Sequence, residues 1–253
     1  LLETFAAAKR IFIIKDTIPT VNQKETTQTC GEIQNIKFNN VSFTYPNTDV
    51  EVLKNLNFEI KKGDKIGIFG PSGIGKSTLF RLLLRFYDPN SGTISFNHID
   101  LKDLSFNEIY QRIGMLEQET YLFDDTIFNN IAIAKEGASL DEVKKAAEKA
   151  GIASLIDTLP EGYNTEMGQM ASRLSGGEKQ RIGIARIMLA CPDIIVMDEP
   201  TSALDVFHEK ELLHTLKTEY SDATWLIISH RMSTLTCCNR LYKLENGQLI
   251  QIN

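Results

Sequence analysis

One stretch limits the architectures open to this 253-residue chain: Gly70-Pro71-Ser72-Gly73-Ile74-Gly75-Lys76-Ser77-Thr78. Its spacing is glycine, four residues, glycine, lysine, then serine or threonine, the pattern of a loop that cradles phosphate groups. Glycines let the backbone turn tightly, so that successive N–H groups point inward at an anion. A helix that starts at the loop presents its positive end to the same charge. Lys76 would reach the terminal phosphates as a point charge, and the Ser77 hydroxyl would hold Mg²⁺. The motif requires a strand before it and a helix after it. Lys65-Ile66-Gly67-Ile68-Phe69 reads as the strand. Leu79, Leu82, Leu83 and Phe86 fall at i, i+3, i+4 and i+7, one apolar helix face, and Asp88-Pro89-Asn90-Ser91-Gly92 should stop the helix. The expectation is a site for a nucleoside triphosphate.

Bulk composition fits this and excludes other classes. A content of 42% hydrophobic and 24% charged residues is that of a soluble globular chain with a sizeable core. The net charge of −6 gives no support for a nucleic-acid partner, whose usual sign is a basic footprint. The cysteines (Cys30, Cys191, Cys237, Cys238) have neither metal-type nor redox spacing, and they read as reduced, small apolar residues in a cytosolic setting. No apolar run reaches the length of a membrane span. The first residue is Leu1 rather than methionine, which suggests a piece of something longer.

Along the chain, Leu1 to Asp16 looks helical, with Phe5, Ala8 and Ile11 or Phe12 on one side, and the polar residues 17–31 read as a linker. From Ile33 to Ile60 the pattern is that of strands broken by a Pro46-Asn47 turn, and Thr93 to Phe96 is another strand. Beyond residue 104 the texture becomes helical. Ser139-Leu140-Asp141-Glu142 is a capping box, followed by the apolar face of Val143, Ala146, Ala147 and Ala150 and closed by Gly151. A second box, Ser175-Gly176-Gly177-Glu178, opens a helix through about Ala190. Strands Ile194 to Met197 and Thr224 to Ile228 flank a helix holding Leu212, Leu213 and Leu216, and Leu241 to Ile250 reads as a closing hairpin. Buried strands alternating with helices imply a layered α/β core with a mainly parallel sheet, an antiparallel side sheet and a helical insertion.

Further residues gather at the expected phosphate site. Ile194 to Met197 is a continuous apolar run, as in a central strand covered on both faces, and it ends in Asp198-Glu199-Pro200-Thr201. Ligands of open α/β sheets collect at the carboxyl ends of strands. Asp198 is therefore a candidate for the shell of Mg²⁺, and Glu199 for the base or orienter of an attacking water. His230 ends the last core strand on the same edge, where it either touches the terminal phosphate or serves as a structural residue. Ser175, Gly176 and Gly177 stand at a helix N-terminus, an arrangement that suits both a cap and a second anion site.

Together these motifs resemble the ordered set of the ABC ATPases: the loop at 70–78, Gln118, Leu174-Ser175-Gly176-Gly177-Glu178, Asp198-Glu199, Ser202-Ala203-Leu204-Asp205 and His230. Leu122 to Ile127 with Asn130-Ile131, Leu159 to Tyr163, and His230 to Thr234 resemble the exporter branch. The resemblance implies a P-loop NTPase core over residues 32–253 with a helical subdomain at about 119–190. It makes 1–31 a helix and linker from a transmembrane domain of the same polypeptide. By the same resemblance Tyr45, taken alone an ordinary strand aromatic, stacks on adenine, and Gln118 helps ligate Mg²⁺ and senses the membrane domain. Glu199 polarises water, His230 contacts the γ-phosphate, and Lys76 completes the hydrolytic set. Ser175, Gly176 and Gly177 clamp the ATP of a second copy of the domain, with Asp205 lining that interface. The resemblance thus implies an ATPase at the cytoplasmic face of a membrane that powers export by head-to-tail dimerisation. The alternative is a soluble ABC ATPase acting on nucleic acid or ribosomes. Glu178, Pro200 and Gly168-Gln169-Met170-Ala171 depart from the usual exporter residues.

Overall fold

The computed structural model describes residues 9, 12, 15, 16, 19–25, 27–168, 174–202, 204 and 206–252, with backbone alone at 206 and 208. Most of the helix expected over Leu1 to Asp16 lies outside these residues, as do Gln169, Met170, Ala171 and Asp205.

Alternation of side chains along strands decides the layering. The central strands β7 (Ile194–Asp198) and β8 (Thr224–Ile228) are apolar on both faces. Ile194, Val196, Leu226 and Ile228 join one core, and Ile195, Met197, Trp225 and Ile227 the other. The six-stranded sheet has the order β10-β9-β3-β8-β7-β6. Its parallel strands are β3 (Lys65–Phe69), β6 (Ile113–Leu116), β7, β8 and β9 (Arg240–Glu245). The edge strand β10 (Gln248–Gln251) runs antiparallel to β9 through Asn246 and Gly247, both at positive φ. This is the hairpin expected from Asn-Gly between two strands.

On one face lies the antiparallel side sheet, in the order β2-β1-β4-β5, built from β1 (Asn35–Thr44), β2 (Glu51–Lys61), β4 (Ser91–Phe96) and β5 (Ile99–Asp100). The helix α1 (Lys76–Leu83) packs in the same core, and Phe58 meets Tyr242 edge-on at 5.0 Å, tying the side sheet to the main one. On the other face, α3 (Ile127–Ala132), α4 (Leu140–Lys149), α5 (Ala153–Asp157), α6 (Gly176–Ala190) and α7 (Val206–Glu219) share the second core. Both expected capping boxes form, with reciprocal bonds at Ser139–Glu142 and Ser175–Glu178. The remaining α-helices among the described residues are α2 (Phe106–Arg112) and α8 (Met232–Leu235).

Two sequence expectations need correction, and a third gains detail. Phe86 is no part of the α1 face: the helix ends at Leu83, Arg85 takes φ 55°, and Phe86 is 52% exposed. Buried Arg85 supplies the reason, because it is drawn inward by bonds to Asp88 (3.1 Å), the Leu101 carbonyl (3.4 Å) and the Asn22 carbonyl (2.9 Å). The run after residue 104 contains β6, a strand that the helical texture of the sequence conceals. The segment read as a linker over 17–31 docks on the domain through its described residues 19–25 and 27–31. Gln28 bridges to Leu104, the Gln23 amide oxygen accepts from the Phe106 N–H, Lys24 pairs with Asp103, and the Cys30 N–H donates to Glu108. Burial beside the Glu108 carboxylate raises the Cys30 thiol to about 11, so that it stays protonated and inert.

Candidate phosphate-binding site

Strand register brings the site together. Ile68 pairs with Ile228, and Ile228 with Asp198, while Leu116 pairs with Met197. The residues that leave these four strands therefore emerge at one edge: Gly70 to Thr78 after β3, Gln118 after β6, Asp198-Glu199 from β7, and His230 after β8. A cleft of about 410 Å³ opens there, lined by Ser72, Gly73, Gly75, Lys76, Ser77 and Thr78, by Gln118, Asp198 and Glu199, and by Tyr45, Val52 and Arg81.

The loop is built for close approach of a ligand to backbone. Gly75 caps α1 at φ 108°, and a Cβ there would sit 2.2 Å from Val52 Cγ1. No side chain caps α1, which leaves its first N–H groups for a ligand. Lys76 is buried, and its Nζ donates to the carbonyls of Gly70 (2.8 Å) and Pro71 (2.9 Å), which hold the ammonium across the loop. Gly70, Pro71 and Ile74 complete the turn without lining the cleft; Gly70 has φ 154° and Ile74 packs toward the first core. Ser77, Gln118 and Asp198 are all oxygen donors on one cleft, the kind of set a hard divalent cation takes.

Glu199 adopts φ 50°, left-handed backbone that a non-glycine residue rarely takes. Its N–H donates to the Ile228 carbonyl at 2.9 Å. Its Oε2 lies 2.8 Å from His230 Nδ1 and accepts from the His230 N–H at 3.2 Å. The two are thus one pair rather than independent residues, which spacing alone could not disclose. Tyr45 is fixed by α1 and by two neighbouring rings. Its hydroxyl lies 2.9 Å from Thr78 Oγ1 and accepts from Arg81 Nη1 at 3.0 Å, while its ring meets Phe43 and Tyr87 edge-on. Arg81 and Val52 carry no signal in the sequence, since their place in the cleft comes only from packing of β2 and α1.

Ser175, Gly176 and Gly177 do not line this cleft. They open α6, where the Ser175 hydroxyl accepts from the Glu178 N–H at 3.3 Å and the Ser175 N–H donates to Glu178 at 2.7 Å. The cap is therefore satisfied within the chain. Asp205 lies outside the described residues.

Strand-loop-helix geometry, a layered sheet and acids at the strand edge define an α/β phosphate-loop protein. The family of ABC transporters matches residues 53–202, more than half of the sequence, and the chain belongs to that family. It is 39% identical over 249 residues to a probable ABC transporter ATP-binding/permease protein of Haemophilus influenzae, covering 98% of this chain and 45% of that protein. It is 37% identical to an ATP-dependent lipid A-core flippase of Desulfotalea psychrophila, covering 97% of this chain and 43% of that one. An ATM1-type heavy metal exporter of Novosphingobium aromaticivorans is 43% identical over 216 residues, 85% of this chain and 35% of that one. Among solved structures, a bacterial Atm1-family ABC exporter with ATP bound matches at TM-score 0.87 and 38% identity, over 98% of this chain and 44% of that one. The chain spans less than half the length of these relatives.

Proposed function

We propose that the chain binds and hydrolyses ATP and thereby powers export of a substrate across a membrane. The observation that carries this is the convergence of Lys76, Ser77, Gln118, Asp198 and Glu199 on one cleft at the carboxyl edge of the parallel sheet. The loop N–H groups and Lys76 hold the phosphate chain, and Tyr45 offers its ring to the adenine. Ser77, Gln118 and Asp198 hold Mg²⁺, which when bound neutralises charge on the phosphate oxygens. Glu199 takes a proton from water as its oxygen attacks the γ-phosphorus and the bond to the ADP oxygen breaks. His230, paired with Glu199, orients that carboxylate and reaches toward the γ-phosphate.

On this reading the domain acts as a dimer. Ser175, Gly176 and Gly177 meet the ATP held by a second copy, with Asp205 along the interface. The names of the relatives join ATP binding to a permease, which supports a transmembrane domain on the same polypeptide and a station at the cytoplasmic face. That fits the absence, among the described residues, of any helix long and apolar enough to cross a membrane. A groove of about 780 Å³ lined by Phe123, Phe128, Ile133 and their neighbours is where we assign contact with that domain. The relatives' names favour export over a soluble ATPase working on ribosomes or nucleic acid.

Glu199→Gln tests the assignment of the base. The variant should bind ATP as the wild type does in calorimetry and lose about 10²–10⁴ in turnover, the usual worth of a positioned general base. Near-normal turnover would refute it.

A further inference from the structure

Beyond β7 the chain turns through Glu199 to Ser202 and Leu204, ahead of α7. Its internal backbone bonds are tight turns: the Ser202 N–H donates to the Glu199 carbonyl and the Leu204 N–H to the Thr201 carbonyl, each at 3.1 Å. The carbonyls of Thr201, Ser202 and Leu204 are also held by one side chain from another segment. Arg231 Nη1 donates to Thr201 O at 2.9 Å and Leu204 O at 3.0 Å, and Nη2 donates to Ser202 O at 3.3 Å. A planar fork of donors suits this task, and an ammonium does not.

The charge of Arg231 is met by Glu209, on the first turn of α7 and 4% exposed, at 3.4 Å. The other Glu209 oxygen accepts from Ser233 Oγ at 2.9 Å and Thr234 Oγ1 at 2.7 Å. Thr234 has spent its one proton on Glu209, so Thr201 must donate its own to Thr234 across their 2.7 Å contact. Three segments are closed into one network: the segment after Glu199, the start of α7, and the segment carrying His230.

We infer that Arg231 is a positioning residue for hydrolysis, fixing the Glu199–His230 pair and the segment that follows it. The inference rests on the reading of Glu199 as the base. Arg231 adjoins His230 in sequence and grips the residues just beyond Glu199, so it ties together the two segments that carry the pair. It touches neither phosphate loop nor cleft, and its loss should leave ATP binding intact.

The test uses the full 253-residue chain with Arg231→Ala, Arg231→Lys, Glu209→Gln and Glu199→Gln measured side by side. Arg231→Ala should lower kcat at least tenfold while the Kd for ATP, by calorimetry, moves less than twofold. Arg231→Lys should recover only part of the loss, and Glu209→Gln, which keeps acceptance from Ser233 and Thr234 but drops the charge, should fall between. Wild-type kcat in Arg231→Ala beside an inactive Glu199→Gln overturns this inference alone. Normal turnover in Glu199→Gln overturns both. Parallel loss of ATP binding and kcat in Arg231→Lys and Glu209→Gln also overturns it, since that marks a scaffold residue.

Discussion

Glu199 occupies left-handed backbone at φ 50°, a conformation that costs on the order of 1–3 kcal/mol in a non-glycine residue. It is held there by its N–H bond to the Ile228 carbonyl, by the Ser202 N–H that donates to its carbonyl, and by the contacts of its carboxylate with His230. Gly75 shows the opposite case, where no side chain can be accepted. Gly75→Ala puts a methyl against Val52 Cγ1 on backbone at φ 108°. It should lose about 1–3 kcal/mol of stability in a denaturant titration, and its Kd for ATP should rise. At this scale much was legible in the sequence. The chemistry of Lys76, Ser77, Asp198 and Glu199 is encoded in local spacing and in the end of an apolar strand. Arg81, Val52 and Arg231 were not, because each reaches its place through a partner far away in the chain.

Among the elements, those with punctuation of their own were readable: the two capping boxes, the Asn246-Gly247 hairpin and the continuous apolar runs of β7 and β8. β6 was not. It is four residues long and contains Gly114, which sequence rules treat as a breaker. In the fold a Cβ on Gly114 would sit 2.7 Å from Pro192 Cγ, so the glycine serves close packing against the chain entering β7. The exporter-like run at 122–131 acquires a physical basis as well. Asn130, 1% exposed, accepts from the Phe123 N–H and from Arg186, and donates to the carbonyls of Phe123, Asp125 and Thr126. Asn130→Ala leaves the Phe123 N–H unpaired, while the three carbonyls keep backbone donors, and should cost about 1–3 kcal/mol in chemical denaturation. The α4 capping box makes a pH-dependent case. Lys135, then the Ser139 N–H and hydroxyl, lower the Glu142 carboxyl from 4.5 to about 2. A depressed carboxylate contributes stability that is complete above 4.5 and fades as pH falls toward 2. The difference in Tm between wild type and Glu142→Gln should be constant above about pH 5.5 and narrow progressively below about 4.5.

At the scale of the whole molecule, four parallel strands deliver their residues to one edge, and the phosphate loop becomes one wall of a cleft rather than a motif on its own. The α6 N-terminus stands outside that cleft, and in the proposed function Ser175, Gly176 and Gly177 meet a nucleotide held by another copy. The docked segment at 19–31 belongs to this scale too. Its polar composition reads as a linker, and it is a docked one: Lys24 and Gln23 are bonded to Asp103 and Phe106, Gln28 bridges to Leu104, and the Cys30 N–H donates to Glu108. If each site is shared between two copies, as proposed, mixed dimers will reveal it. Ser175→Arg in one copy should block hydrolysis at the phosphate loop of the other, and Lys76→Ala should disable its own loop. In a dimer of Ser175→Arg with Lys76→Ala, both lesions fall in one composite site and the other is spared. In a dimer of the Ser175→Arg, Lys76→Ala double variant with wild type, the disabled loop faces the wild-type α6. The wild-type loop there faces the altered α6, so both sites fail. The first dimer should show measurable ATPase and the second almost none; equal activity in the two would mean that each copy hydrolyses ATP on its own.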